Sequence, residues 1–170
     1  MKKLSLLLMF AFLLFKIQAQ AYEKVKDPLS GQMMLKGFIN EQLLSDTTLF
    51  KWYAAMQKEY QPQEQIVKTV VAQKDSVQFL VFLGTWCTDS HYVIPRFFKL
   101  LGLAGFDKDK VVVFALDRTK KDTTHLASTF YISHVPTIIV LKKGKEVGRV
   151  VEFGVTGKFD EELAEVIKKS

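Results

Sequence analysis

Cysteine is the scarcest chemistry in this chain, with one residue, Cys87, in 170. A lone cysteine cannot close an internal disulfide, so its sulfur either pairs with another molecule or stays reactive. No cysteine stands near the end of the N-terminal apolar segment, which excludes a lipid-modified N-terminal cysteine. Basic blocks are missing too. The formal charge is +6, but removing Lys2, Lys3 and Lys16 takes the 24 basic side chains to 21 against 18 acidic ones, or +3. That balance offers nucleic acid no footprint. Internal repeats and low-complexity tracts are absent. Histidine is limited to three residues. Cys87 and His91 have a metal-compatible i, i+4 spacing, with His134 as a further neighbour. His125 belongs to a different helix and the ligand set stays short, so neither metal nor other cofactor is expected.

The apolar content of 48% suffices for a packed core and argues against disorder. Residues 1–21 stand apart. Lys2 and Lys3 precede an apolar stretch from Leu4 to Phe15, and Ala19-Gln20-Ala21 fits a small-x-small cleavage site. This reads as a secretory signal peptide, too short for a convincing span, cut after Ala19 or Ala21. The competing reading is an uncleaved anchor. The expectation is an exported protein, periplasmic or extracellular, with no stable membrane insertion after cleavage. Exposed thiols have consequences in such oxidising compartments.

Residues 22–33 are polar, with Asp27-Pro28 and Ser30-Gly31, and read as a linker or mobile start. Met34 to Ile39 reads as a short strand. Ser45 or Asp46 is placed to cap a helix carrying Leu49, Trp52, Tyr53, Met56 and Tyr60 at helical spacing, a stripe best explained by core packing. After Pro62 a helix covers Gln63 to Gln73 with Ile66, Val67, Val70 and Val71 inward. Phe79 to Leu83 is a continuous apolar strand of the kind found inside a sheet. A helix follows from Thr88 to Leu101, which Pro95 should kink. Val111 to Leu116 is another buried strand. Asp122 or Thr123 starts a short helix to Phe130. Thr137 to Leu141, a turn at Lys143-Gly144 and Glu146 to Phe153 form a hairpin. Thr156 is placed to cap a last helix from Phe159 to Lys168. Asp117-Arg118, at a strand end, reads as a local ion pair.

Two local motifs join this order of elements. Trp86-Cys87-x-x-Ser90 follows a strand, with Pro95 eight residues after the cysteine, and Val135-Pro136-Thr137 opens a strand 49 residues after it. Together they resemble the thioredoxin superfamily over roughly Pro62 to Lys169. More narrowly, Gly84 to Ser90 with Pro95-Arg96-Phe97 is similar to a secreted bacterial thioredoxin-like group with a W-C-x-D-S motif, whose N-terminal extension Trp52-Tyr53 and Tyr60-Gln61-Pro62 also resemble. The resemblance implies an α/β thioredoxin fold: a central mixed sheet with two parallel strands and a C-terminal hairpin, helices on both faces, and an N-terminal helical extension. Together with the N-terminal reading above, it divides the chain into a signal peptide (1–21), an extension with the aromatic helix (22–61) and the thioredoxin-like domain (62–170). It also implies a cis Pro136 against the Cys87 sulfur, with Val135 and Pro136 as a shelf for extended peptide.

Two departures matter. Ser90 stands where a second cysteine would resolve a mixed disulfide, and Val81 where thioredoxins bury a proton-handling aspartate. Dithiol reductase turnover is therefore not expected. Cys87, Ser90 and Trp86 are the candidate catalytic residues, and Val135, Pro136, Thr88, Asp89 and His91 the candidate substrate contacts. Helix N–H groups near Thr88 to Ser90 can stabilise a thiolate. The Ser90 hydroxyl is expected to donate to the sulfur, and a protonated His91 would help, while Asp89 works the other way. The expected activity is monothiol exchange or isomerisation through a mixed disulfide with a thiol- or disulfide-containing protein or small thiol. The alternative is a redox-inactive thioredoxin-fold module that binds peptide or protein.

Overall fold

The computed structural model describes residues 21–121 and 124–169. The expected signal segment, apart from Ala21, and the expected helix start at Asp122 or Thr123 lie outside the described residues.

Six strands form one sheet in the order β1-β2-β4-β3-β5-β6. They are β1 (Tyr22–Lys26), β2 (Met33–Ile39), β3 (Val77–Leu83), β4 (Val111–Ala115), β5 (Thr137–Lys142) and β6 (Lys145–Val151). Only β3 and β4 pair in parallel; the other neighbours are antiparallel. The helices are α1 (Glu41–Leu44), α2 (Lys51–Glu59), α3 (Glu64–Gln73), α4 (Thr88–Leu103), α5 (Leu126–Thr129) and α6 (Phe159–Lys168).

The apolar run of β3 puts alternate side chains on opposite faces, as a strand must. Phe79, Val81 and Leu83 join a large cluster with Tyr53 of α2, Val70 of α3, Phe97 of α4 and Leu163 of α6. Leu80 and Phe82 join a second cluster with Ala127 of α5, Ile132 and Val135, against which Trp86 and Cys87 pack. The sheet is thus covered on both faces. Each fully buried Phe or Leu contributes about 1.5–3 kcal/mol of burial. This is the thioredoxin fold expected from the sequence.

Several local expectations are corrected. Residues 22–26 are a strand, not a linker, paired with β2 from Tyr22↔Gly37 to Lys26↔Met33. An edge strand in which only Tyr22 and Val25 are half-buried carries little apolar signal. The Asp27-Pro28 and Ser30-Gly31 signals mark the turn that closes this hairpin, where the Gly31 N–H donates to the Asp27 carbonyl at 2.8 Å. Ser45 ends α1 rather than capping α2. Asp46 instead accepts from the Thr48 N–H and hydroxyl, and its carbonyl accepts from Phe50, so α2 begins later, after Phe50. On α3, Thr69 faces inward and Val71 is exposed. The helix that carries Pro95, α4, runs to Leu103, two residues past its expected end. The Thr156 hydroxyl bonds to Glu162 at 2.6 Å, and Lys158 occupies the start of α6, so Thr156 is not its cap.

Candidate active site

Cys87 stands at the N-cap of α4 with extended backbone, φ −95° and ψ 125°. β3 ends at Leu83, the Cys87 N–H donates to the Gly84 carbonyl at 2.9 Å, and the Cys87 carbonyl accepts from His91 at 3.0 Å. This tight strand-to-helix junction half-buries the sulfur at the positive end of a four-turn helix. The thiol donates to the Val135 carbonyl at 3.2 Å. The Val135–Pro136 peptide is cis, and the Pro136 carbonyl accepts from Glu152 at 2.7 Å. The two sequence motifs therefore meet at one sulfur–carbonyl contact, with Trp86, Cys87 and Val135 in the same apolar cluster.

Ser90 does not serve the sulfur in the way expected. Its side chain is fully buried, and its hydroxyl accepts from the Gly84 N–H at 3.1 Å. One turn into the helix, it faces the end of β3 rather than Cys87. Thr88 is exposed and Asp89 half-buried, their side chains 3.5 Å apart at the start of the helix.

His91 is also reassigned. Its Nε2 lies 2.8 Å from the Thr85 carbonyl, which can only accept, so Nε2 carries the proton. The ring stacks on Trp52 with centroids 4.1 Å apart and planes at 18°. Burial pushes its pKa below the ordinary 6.5, with the Thr85 carbonyl partly opposing. A neutral His91 brings no positive charge to the thiolate. Trp52 thus covers an active-site neighbour as well as packing, while Tyr53 beside it is a core residue. A cavity of about 570 Å³ lined by Met33, Leu49, Trp52 and Thr85, among others, opens two residues from Cys87.

Trp86 lies against Gly84, where an added Cβ would meet the indole at 2.7 Å, so only glycine admits this ring position. Its Nε1 donates to the Leu116 carbonyl at 2.8 Å. The Arg118 guanidinium sits 4.7 Å from the ring centroid and the Lys120 ammonium 5.9 Å. Asp117 and Arg118 do not pair with each other as expected. Asp117 binds Lys36 at 2.9 Å, and Arg118 binds Asp27 through two contacts of 2.6 and 2.7 Å. Asp27, only 2% exposed, also accepts from Ser30 at 2.5 Å. The Arg118 bond, aided by Ser30 and Leu29 against the cost of burial, holds the Asp27 carboxyl well below the usual carboxylate range. Asp117 is lowered to about 2, burial being outweighed by Lys36, Thr119 and the Lys121 N–H. The Asp27–Arg118–Trp86 arrangement was missed at the sequence level. Its one visible signal was a turn aspartate, and its members are 91 residues apart.

Among the described residues no group of three or more His, Cys, Asp or Glu side chains is arranged to hold a metal. The exposed His134 bonds to Ser133 instead.

A family model described as Thioredoxin matches residues 58–169. A thioredoxin of Staphylococcus saprophyticus is 34% identical over 96 residues, covering 56% of this chain and 84% of that protein. A thioredoxin of Staphylococcus aureus is 34% identical over 109 residues, covering 61% and 96%. Among solved structures, reduced Schistosoma mansoni thioredoxin pre-protein aligns with a TM-score of 0.41 and 24% identity, covering 63% of this chain and 90% of that one.

Proposed function

The chain belongs to the thioredoxin family, whose chemistry is thiol–disulfide redox exchange, and on that premise we propose that Cys87 is the nucleophile of an exported, single-cysteine member. The observation that carries this is the Cys87 thiol at the N-cap of α4, 3.2 Å from the carbonyl that precedes Pro136. The thiolate attacks one sulfur of a disulfide. A bond forms from Cys87 Sγ to that sulfur, the old S–S bond breaks, and the other half leaves as a thiolate with the electron pair. A hydroxyl buried against Gly84 cannot resolve the adduct. A second, external thiolate, or a second thiol of the substrate, does so and returns Cys87 as thiolate. The outcome is monothiol exchange or isomerisation. Trp86, Thr88 and Asp89 flank the reacting sulfur, and Val135 with Pro136 supplies the edge for an extended peptide. His91 acts as a neutral, stacked wall beside it.

The same proposal places the protein in the secreted bacterial W-C-x-D-S group, made with a signal peptide in residues 1–21 and acting in the periplasm or outside the cell. Residues 22–61 are its extension and 62–170 its thioredoxin-like domain. Its partners are thiol- or disulfide-containing proteins or small thiols.

The test is non-reducing electrophoresis of wild type and Cys87→Ala recovered from acid-quenched cells. Wild type is expected to show reductant-sensitive adducts that the variant lacks. No adducts, with Cys87 alkylated no faster than free cysteine from about pH 5 to about pH 8, overturn the proposal.

One observation favours a second reading, a redox-inactive binding module. Val81 is fully buried among apolar side chains where the family places a proton-handling carboxylate. On that reading Cys87→Ala leaves partner capture by the Pro136 edge intact.

A further inference from the structure

The side of Trp86 that carries Arg118 and Lys120 is built to do more than pack. Arg118 uses its Nε–H and one Nη2–H on Asp27. A guanidinium has five N–H donors in one plane, so three remain. No acceptor takes them among the described residues, and the side chain is 30% exposed. Bidentate bonding to a carboxylate that is itself 1% exposed, together with the indole 4.7 Å away, fixes the plane of the fork before any ligand arrives. Lys120 adds an ammonium 5.9 Å from the same ring with no carboxylate partner among the described residues. The turn that presents both cations is held by Asp117, whose carboxylate accepts from the N–H groups of Thr119 and Lys121 and the Thr119 hydroxyl. Attraction to the Cys87 charge is among the influences that raise the Arg118 pKa, after the Asp27 bond, which places the guanidinium within electrostatic reach of the sulfur.

We propose that Arg118 and Lys120 form a carboxylate subsite beside Cys87, so that the disulfide attacked, or the external thiol that releases the protein, is one carrying a carboxylate near its sulfur. This rests on the monothiol reading and supplies what that reading lacks, a means of holding the second thiol where Ser90 cannot act. Asp27 cancels much of the long-range field of Arg118, and Asp89 opposes anions from the start of α4. Recognition is therefore by direct contact with the outward N–H donors rather than by net charge. In the exchange itself a carboxylate-bearing thiolate attacks the Cys87 mixed disulfide. The attacking sulfur forms a new disulfide with the partner sulfur, the bond from Cys87 Sγ to that sulfur breaks, and Cys87 leaves as thiolate with the electron pair.

The experiment compares the rates at which Cys87 forms adducts with two small disulfides, dianionic dithiodiglycolate and uncharged hydroxyethyl disulfide, followed by intact mass. The quantity read is the ratio of the two rates, in which the thiolate fraction cancels. Relative to wild type, Arg118→Gln should lower the ratio roughly fivefold for the loss of one close charge contact in water, and Lys120→Gln should lower it by a smaller factor. Arg118→Gln strands a buried Asp27 carboxylate, so the Asp27→Asn, Arg118→Gln double variant, which leaves no unpaired charge, repeats the measurement. It should show the same fall. A ratio that stays at the wild-type value in these variants, whatever happens to the two rates separately, overturns the subsite. Wild-type rates no higher than those of free cysteine overturn the monothiol reading instead, and the ratio still reports on the subsite.

Discussion

The hydroxyl of Ser90 is committed to the Gly84 amide, and the Cys87 thiol to the Val135 carbonyl. In this position Ser90 ties the last residues of β3 to the first turn of α4, with no exposure to solvent. Ser90→Ala leaves the Gly84 N–H buried without its acceptor, at a cost of about 1–3 kcal/mol. Urea unfolding should show that loss, while the pH profile of Cys87 alkylation keeps its midpoint. A shifted midpoint would restore the hydrogen bond to sulfur expected from the motif. Trp86 illustrates the same scale from the other side, because its indole occupies space that exists only where residue 84 has no Cβ.

At the scale of elements, α2 and α4 are joined by more than apolar packing. Arg96 of α4, 7% exposed, lies 3.6 Å from the Tyr92 ring, bonds to the Tyr92 carbonyl at 2.8 Å and touches Met56 of α2. Trp52 of α2 stacks on His91 of α4. Trp52→Ala should cost about 2–3 kcal/mol, at the low end for a large aromatic because the ring is only half-buried. The same variant has a signature in pH. Burial holds the folded His91 below 6.5, so the unfolded chain takes the proton more readily. Stability is therefore complete above 6.5 and falls as pH drops below it. Uncovering the ring relieves the burial, so urea midpoints of Trp52→Ala should decline less steeply than wild type below that pH. A parallel decline would mean that Trp52 is not what buries the histidine.

Across the whole molecule, the N-terminal hairpin and the loop after β4 are locked together by Asp27 and Arg118. The folded Asp27 carboxyl is depressed below its ordinary 3.8, first by the Arg118 bond. The stability this pair contributes is present in full above that value and is lost as pH falls below it, since the unfolded state then binds the proton first. The difference in urea midpoint between wild type and Asp27→Asn should accordingly be constant near neutrality and shrink as pH is taken below about 4. A difference that persists unchanged into acid would assign the pair a packing role alone. The lock also explains how β1, an edge strand of mostly charged residues, keeps its place: its far end is fastened by an ion pair whose carboxylate is buried.

Local chemistry made much of this protein readable in one dimension. The apolar run of β3, the lysine-glycine turn of the last hairpin and the spacing from Cys87 to Pro136 each carry their meaning within a few residues or through one fixed interval. They were enough for the fold and for locating the sulfur. The placement of side chains across long intervals was not readable in that way. Asp27 meets Arg118, and Trp52 meets His91, only because the sheet order brings β2 beside β4 and the packing sets α2 on α4. Sequence patterns report which face of an element is buried. Hydrogen bonds and ring stacks depend on which partners arrive there at contact distance, and packing alone decides that. The lone thiol belongs to the chain's sequence; the guanidinium over Trp86 beside it belongs to the fold.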